Sequence, residues 1–279
     1  MKEHALLFGE SRSLVGILTE SIDRDISKKL PAVIILNTGL VHHIGPNRLS
    51  VKLARCLAES GFVVFRVDFS GIGDSPVGSD NMPIFERWIK ETRAAMDMVA
   101  EQRGIDRFIV LGNCSGAAVS FLTARTDPRV AGAVLINLQG EKTLLRYFLK
   151  LALFNPKVWL RIIKGSVKVS FVSSALASFI HDRFTRKTAD SYGSSEIVAD
   201  FEVLKSLSID LLLVYSEWDP GLSYFKAKLR KKLSSLSLDG KLKVEVIPGI
   251  NHSFGLLRGQ EDLIRRVSSW ASEIVQGRS

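Results

Sequence analysis

The stretch FIVLGNCSGAAVSF, residues 108–121, sets two nucleophile types side by side, Cys114 and Ser115. They fall where an apolar, β-branched run passes through small residues into a second apolar stretch. A sharp strand-to-helix turn that presents a nucleophile needs small residues two before and two after its apex, because side chains there meet the neighbouring backbone. Centred on Cys114, those flanks are Gly112 and Gly116; centred on Ser115, they are Asn113 and Ala117. The steric rule selects Cys114, whose thiolate would attack a carbonyl carbon. Ser115 then follows the nucleophile, and its backbone N–H, at the start of a helix, points where an oxyanion would form. Two rival readings are a glycine-rich junction without chemistry and a phosphate-binding turn. The second lacks the third glycine of a dinucleotide fingerprint, and the next apolar run, VAGAVLINL, ends without an acidic residue for a ribose.

The elements around this turn alternate. ALLFGE and LVGILTE read as two early strands of a hairpin, PAVIILN (31–37) as a buried strand, and NRLSVKLARCLAES as a helix stopped by Gly61. FVVFRVDF (62–69) is the next strand, 84–104 a long amphipathic helix closed by glycine, RFIVLG a strand, SGAAVSFLTART a helix and VAGAVLINL a strand. After Leu138 the rhythm breaks until Ser208. It resumes with IDLLLVYS, a helix near 222–237, KLKVEVIP and a last helix from about 260 to 275. Strands apolar on both faces and separated by helices predict a mostly parallel central sheet flanked by helices. The expected organisation is a core of residues 1–138 and 208–279 with residues 139–207 inserted as a helical lid after strand six.

Further motifs in the same chain order carry a resemblance to the α/β-hydrolase superfamily. NTGLVHHIGPNR resembles its oxyanion loop, with Thr38-Gly39 in place of His-Gly and Leu40 as the second N–H donor beside Ser115. DFSGIGDS (68–75) looks like the D-x-x-G-x-G-x-S turn common in these enzymes. SEWDPGLS puts Asp219 where the superfamily's acid sits, and IPGINHSF puts His252 where its base sits. The order nucleophile, acid, histidine matches that fold. The combination of NTGLVHHIGPNR, DFSGIGDS and GNCSGA further resembles hydrolases encoded with bacterial exosortase systems, which carry cysteine at the elbow.

Individual residues are weighed against plainer roles. His252 lies on a loop between small or polar neighbours, with little reason for core packing, and is the expected general base. Asp219, just before Pro220, suits an imidazole from the next loop better than Glu217, read as a surface charge. Gly39, His42, His43 and Trp218 are expected to line the substrate side, with one of the two histidines at the rim. His4 reads as structural or exposed, and His181 lies in the insertion. Asp68, Gly71 and Gly73 shape a turn, and Asp74 and Ser75 read as structural. Cys56, on the apolar face of a helix, is a small hydrophobe.

The implied chemistry is a Cys114–His252–Asp219 triad that forms an acyl-thioenzyme from an ester or thioester and passes the acyl group to water. Because an acyl-cysteine is itself a thioester, transfer to another carrier or to an alcohol is the alternative; a non-catalytic binding protein on this fold is a third reading. Neither a cofactor nor a metal is expected.

Charge placement narrows the partners. Between Glu141 and Lys187 ten basic residues face two acids, a surplus of eight within a chain whose net charge is +9. That localised charge argues against a nucleic-acid binder and for an acidic acyl carrier protein or an anionic membrane surface as a contact. The bland alternative is a solvated outer face, since Lys142, Arg146 and Lys150, then Lys157, Arg161, Lys164 and Lys168, repeat at helical spacing. Asn155-Pro156 would start the second of these helices. Two cysteines give no disulfide framework, and MKEHALLFGE has no secretory pattern, so a cytoplasmic protein, peripheral to the membrane at most, is expected.

Overall fold

The computed structural model describes residues 1–22, 30–78, 81–139, 194–236 and 240–276. Residues 140–193 of the expected lid, with its basic residues, Asn155-Pro156 and His181, lie outside the described residues. The chain divides into one compact unit of Met1–Gln139 with Asp200–Ser279 and a second of Gly140–Ala199. The first unit thus resumes ahead of the boundary at 208 expected from the strand pattern.

The alternation of the sequence becomes eight strands: β1 (Lys2–Phe8), β2 (Leu14–Glu20), β3 (Ala32–Ile35), β4 (Val64–Val67), β5 (Phe108–Asn113), β6 (Val130–Ile136), β7 (Asp210–Ser216) and β8 (Leu242–Ile247). They form one sheet in the order β1-β2-β4-β3-β5-β6-β7-β8. The first two strands are the expected hairpin, and β2 pairs antiparallel with β4; every other pairing is parallel. From β3 the chain first builds outward to β4 and then returns to the other side with β5. This reversal opens a crevice at the carboxyl ends of β3 and β5, the place where open α/β sheets bind ligands. The Cys114 turn and the NTGLVHH loop follow those two strands.

The helices are α1 (Leu49–Glu59), α2 (Ile84–Arg103), α3 (Ser115–Thr126), α4 (Ser194–Ser206), α5 (Pro220–Tyr224), α6 (Arg230–Ser235) and α7 (Leu257–Gln276). One face of the sheet is closed by α1 and α7. Leu53 and Leu57 of α1 and Leu263, Val267 and Trp270 of α7 pack on Ile109, Leu111, Val134, Ile136, Leu212 and Val214 in one buried cluster. Burying a side chain of this size contributes about 1.5–3 kcal/mol, so this apolar face, not helix propensity, holds the strand ends in place. On α4, buried Phe201 packs against Phe121 of α3 with the rings tilted and their centroids 4.9 Å apart, and Asp200 pairs with Arg125. These contacts are why the core resumes before β7.

Two helices depart from the sequence expectation. The helix expected from Asn47 is preceded by a 3-10 turn, Pro46–Arg48, in which Asn47 and Arg48 have left-handed φ values of 51° and 60°. Asn47 is held there by its Nδ2 donating to the Ser253 carbonyl at 3.0 Å. The helix expected near 222–237 starts earlier, at Pro220, because Asp219 caps it, and a π turn, Phe225–Leu229, separates α5 from α6.

Candidate active site

Cys114 sits between β5 and α3 with φ 59° and ψ −117°. A non-glycine residue in such a conformation costs on the order of 1–3 kcal/mol and persists only where its surroundings enforce it. They do so here by close approach. A Cβ on Gly112 would lie 2.1 Å from the Gly116 backbone, and one on Gly116 would lie 2.4 Å from the Asn37 carbonyl oxygen. The Cys114 N–H donates to the Ile136 carbonyl at 3.0 Å, and its own carbonyl accepts from Ala117 and Ala118. The turn is therefore centred on Cys114, as the glycine spacing predicted. Ser115 becomes the first residue of α3 and is 1% exposed.

His252 reaches the turn from the loop after β8. Buried Ile250 and Phe254 pin that loop on either side of it. Its Nδ1 hydrogen-bonds Asp219 Oδ2, and the Cys114 side chain interacts with the ring as well. Asp219 is buried beyond β7. Its Oδ1 accepts the Gly221 N–H at 2.6 Å and the Gln139 amide at 3.4 Å, which fixes the carboxylate plane. Burial works against a charged imidazole, but the Asp219 carboxylate and the Cys114 sulfur outweigh it, and the His252 pKa is pushed up to about 10. The rival acid, Glu217, is exposed and accepts the Gly249 N–H at 2.7 Å, so it holds the turn that leads to His252.

The NTGLVHH loop is a tight turn closed by the Val41 N–H donating to the Thr38 carbonyl at 3.0 Å. Gly39 takes φ 56° there, and its N–H donates to Ser115 Oγ at 3.0 Å. That donor is spent inside the protein, so Gly39, expected on the substrate side, instead ties the loop to the Cys114 turn. The Leu40 side chain is exposed, and its N–H makes no backbone hydrogen bond among the described residues.

Asn37 braces the same loop from beneath. Its Nδ2 donates to the Val41 carbonyl at 2.9 Å and to Asp68 Oδ1 at 2.8 Å, while its Oδ1 accepts the Phe69 N–H. Asp68 is wholly buried and collects the His43 N–H and Nδ1, both at 2.7 Å, and the Asp74 N–H. Burial alone would raise its pKa, but these bonds from His43, Asn37 and Asp74 hold it below the usual carboxylate range. His43, also expected to meet substrate, is therefore turned inward, because a buried carboxylate demands donors. His42 is partly exposed and bonds Asp74 at 3.0 Å. Ser75 Oγ donates to the Asp68 carbonyl and accepts the Val15 N–H, a structural role. Trp218 is 66% exposed, with its backbone N–H on the Ile250 carbonyl, so its indole is offered to solvent at the edge of the acid loop.

Asn137, which the sequence reading passed over, joins the loops that carry Asp219 and His252. It follows β6 with φ 49°; its Nδ2 donates to the His252 carbonyl at 3.2 Å, and its Oδ1 accepts the Ser216 N–H at 2.8 Å and hydroxyl at 3.1 Å. The available signal was an Asn immediately beyond a buried strand, a residue that tolerates a left-handed turn and bonds in both senses.

Among the described residues, one group has the donor types for a metal ion: His42, His43, Asp68 and Asp74, whose ligand atoms lie within 4.8 Å of one another. Its members already pair with each other. The Ile44 N–H donates to His42 Nδ1, which leaves the proton of a neutral ring on Nε2, toward Asp74. A metal on Nε2 would have to displace that proton and reverse the Ile44 contact, so the arrangement fits a hydrogen-bonded clamp better than a metal centre.

A family model described as serine aminopeptidase, S33, matches residues 28–185. Proline iminopeptidase from Mycobacterium smegmatis superposes with a TM-score of 0.60 at 16% identity over 100% of both chains. The meta-cleavage product hydrolase of Pseudomonas fluorescens superposes with a TM-score of 0.60 at 15% identity over 97% of each chain. For the dienelactone hydrolase of Anabaena variabilis the TM-score is 0.60 at 11% identity, over 98% of this chain and 97% of that one. No curated protein matches. The fold is the α/β-hydrolase fold, as expected, and the family model spans more than half of the sequence: the chain belongs to the serine aminopeptidase S33 family of α/β-hydrolases and is a hydrolytic enzyme.

Proposed function

We propose that the protein hydrolyses a carboxylic ester or thioester through an acyl-Cys114 intermediate. The observation that carries this reading is the hydrogen-bonded line Cys114–His252–Asp219, with Cys114 at the apex of a turn only glycine flanks permit. The Cys114 thiolate bonds to the carbonyl carbon, and the carbonyl electrons move to oxygen, where the Leu40 and Ser115 N–H groups donate to it. As the carbonyl re-forms, the bond to the leaving oxygen or sulfur breaks, and the His252 imidazolium gives that atom its proton.

Acylation takes away the hold of the Cys114 sulfur on the His252 proton. Burial then weighs more heavily, and the ring becomes the base that the second step needs. It takes a proton from water as the water oxygen bonds to the acyl carbon. The C–S bond breaks, the acid leaves and the thiolate returns. The same thioester intermediate supports transfer to a carrier thiol or an alcohol when one replaces water. The charge surplus of residues 142–187 supports an acidic carrier as one source of the acyl group. Two free cysteines support a reducing, cytoplasmic setting. Among the described residues, no helix is long and apolar enough to cross a membrane.

Intact-mass analysis with a panel of acyl esters and thioesters tests the proposal. Wild type should gain the acyl mass and release free acid without an acceptor. Cys114→Ala should gain nothing, and His252→Ala should react slowly. An adduct that survives Cys114→Ala and vanishes in Ser115→Ala overturns the assignment. Acyl loss only on addition of a thiol or alcohol identifies a transferase, and absence of any adduct on folded wild type overturns the acyl-cysteine reading.

A further inference from the structure

Three neighbouring parallel strands, β3, β5 and β6, each bring an asparagine to the carboxyl edge of the sheet: Asn37, Asn113 and Asn137. The amides of Asn37 and Asn137 have partners at both ends. Asn113 is 4% exposed, and neither its Nδ2 nor its Oδ1 has a partner. Among the described residues it is the one side chain with two such buried atoms. Burying an amide with neither end paired is costly, and leucine of nearly the same shape would fill the place without that cost. An unpaired buried group of this kind calls for an explanation, and a molecule that binds to it is one.

Its position says what that is. Asn113 directly precedes Cys114 and lies opposite Ile136 in the β5–β6 register. By the two-residue alternation it shares a sheet face with Ile109 and Leu111. Those two pack in the cluster that contains Ile250 and Phe254, the residues that bracket His252. The amide therefore lies on the His252 side of the nucleophile.

We propose that Asn113 binds a hydroxyl group next to the acyl carbon, with Nδ2 donating to the hydroxyl oxygen and Oδ1 accepting its proton. Two sources offer that chemistry: a hydroxyl on the substrate's acyl chain, and the water that hydrolyses the acyl-cysteine. The inference rests on the acyl-Cys114 reading.

The test compares wild type with Asn113→Leu, using thioesters of equal chain length with and without a hydroxyl on the acyl chain. Acylation and deacylation are timed separately by intact mass, beside thermal unfolding. The leucine variant should unfold at the same or a higher temperature. If the ligand is a substrate hydroxyl, acylation by the hydroxyacyl thioester alone falls, by on the order of 10–100-fold. If it is water, deacylation falls equally for both substrates and the acyl-enzyme accumulates. Asn113→Ala, too small to clash, is read the same way should leucine not fold. Unchanged rates in a folded variant overturn the inference and leave the acyl-cysteine reading standing. So does a loss that follows the melting temperature and affects both steps and both substrates alike. A wild type that never acquires an acyl group overturns both.

Discussion

Ser115 Oγ accepts the Gly39 N–H at 3.0 Å, across 76 residues of chain. The hydroxyl that looked like a competing nucleophile is the strut between the two halves of the candidate oxyanion hole. It makes the Leu40-bearing turn and the start of α3 one unit, so that neither N–H group can drift independently of the sulfur.

Ser115→Ala should therefore lower turnover far more than substrate binding. The variant leaves the Gly39 N–H unpaired, a cost of about 1–3 kcal/mol for a buried donor. The expected fall in kcat is on the order of 10–100-fold, short of the ~10²–10³-fold typical of losing an oxyanion donor outright. KM should stay nearly constant, and Ser115→Thr should restore part of the rate. Equal losses in kcat and in binding would contradict a positioning role.

Gly112→Ala should unfold the elbow, since its Cβ would stand 2.1 Å from the Gly116 backbone. Backbone cannot yield as a side chain can, and a penalty above about 3 kcal/mol is expected. Gly255→Ala is the control: its Cβ would meet only the Asn251 amide, at 3.7 Å. Denaturant midpoints of the two variants measure the contrast, and similar midpoints would refute the close-approach argument.

His252 should titrate far above an ordinary histidine in wild type and lower in Cys114→Ala, because part of what holds its proton comes from the sulfur. NMR titration of the ring Cε1–H reads both. A folded-state pKa raised from 6.5 to about 10 also adds stability that is complete below about 6.5 and disappears as the pH approaches 10. Relative to His252→Phe, wild type should lose stability across that window in urea unfolding. Stability that stays flat across that window would mean that the folded ring is already neutral there.

Asn137→Asp keeps the oxygen that accepts from Ser216 and loses the Nδ2 bond to the His252 carbonyl. It should lose more stability than the ~1 kcal/mol of one hydrogen bond, because the new carboxylate is buried with an oxygen against that carbonyl, and slow acylation of Cys114 by at least tenfold. A 1 Å displacement of a reacting group is enough for a ~10²-fold effect. Normal acylation rates in a protein of lowered stability would show that this residue supports the fold alone.

The elements and the turn at Cys114 were legible because both rest on short-range rules. β-branched runs, amphipathic spacing and the glycines at 112 and 116 act within a few residues, so they predict strands, helices and a turn centred on Cys114 without knowledge of the fold. The expectations for Asp219 and His252 came from the resemblance to the α/β-hydrolase superfamily, matched to the order of loops along a parallel sheet. What tertiary structure decided is how the loops are tied to one another. His43 points inward because Asp68, 25 residues away, is buried and needs donors. Asn137 clamps a loop 115 residues distant. Ser115 holds Gly39, and Asn113 is left without a partner. These hydrogen bonds join segments that meet only once the sheet has assembled and covered its apolar face. Their geometry depends on ångström-scale convergence that no local pattern encodes, and that convergence separates a line of polar residues from a site able to do chemistry.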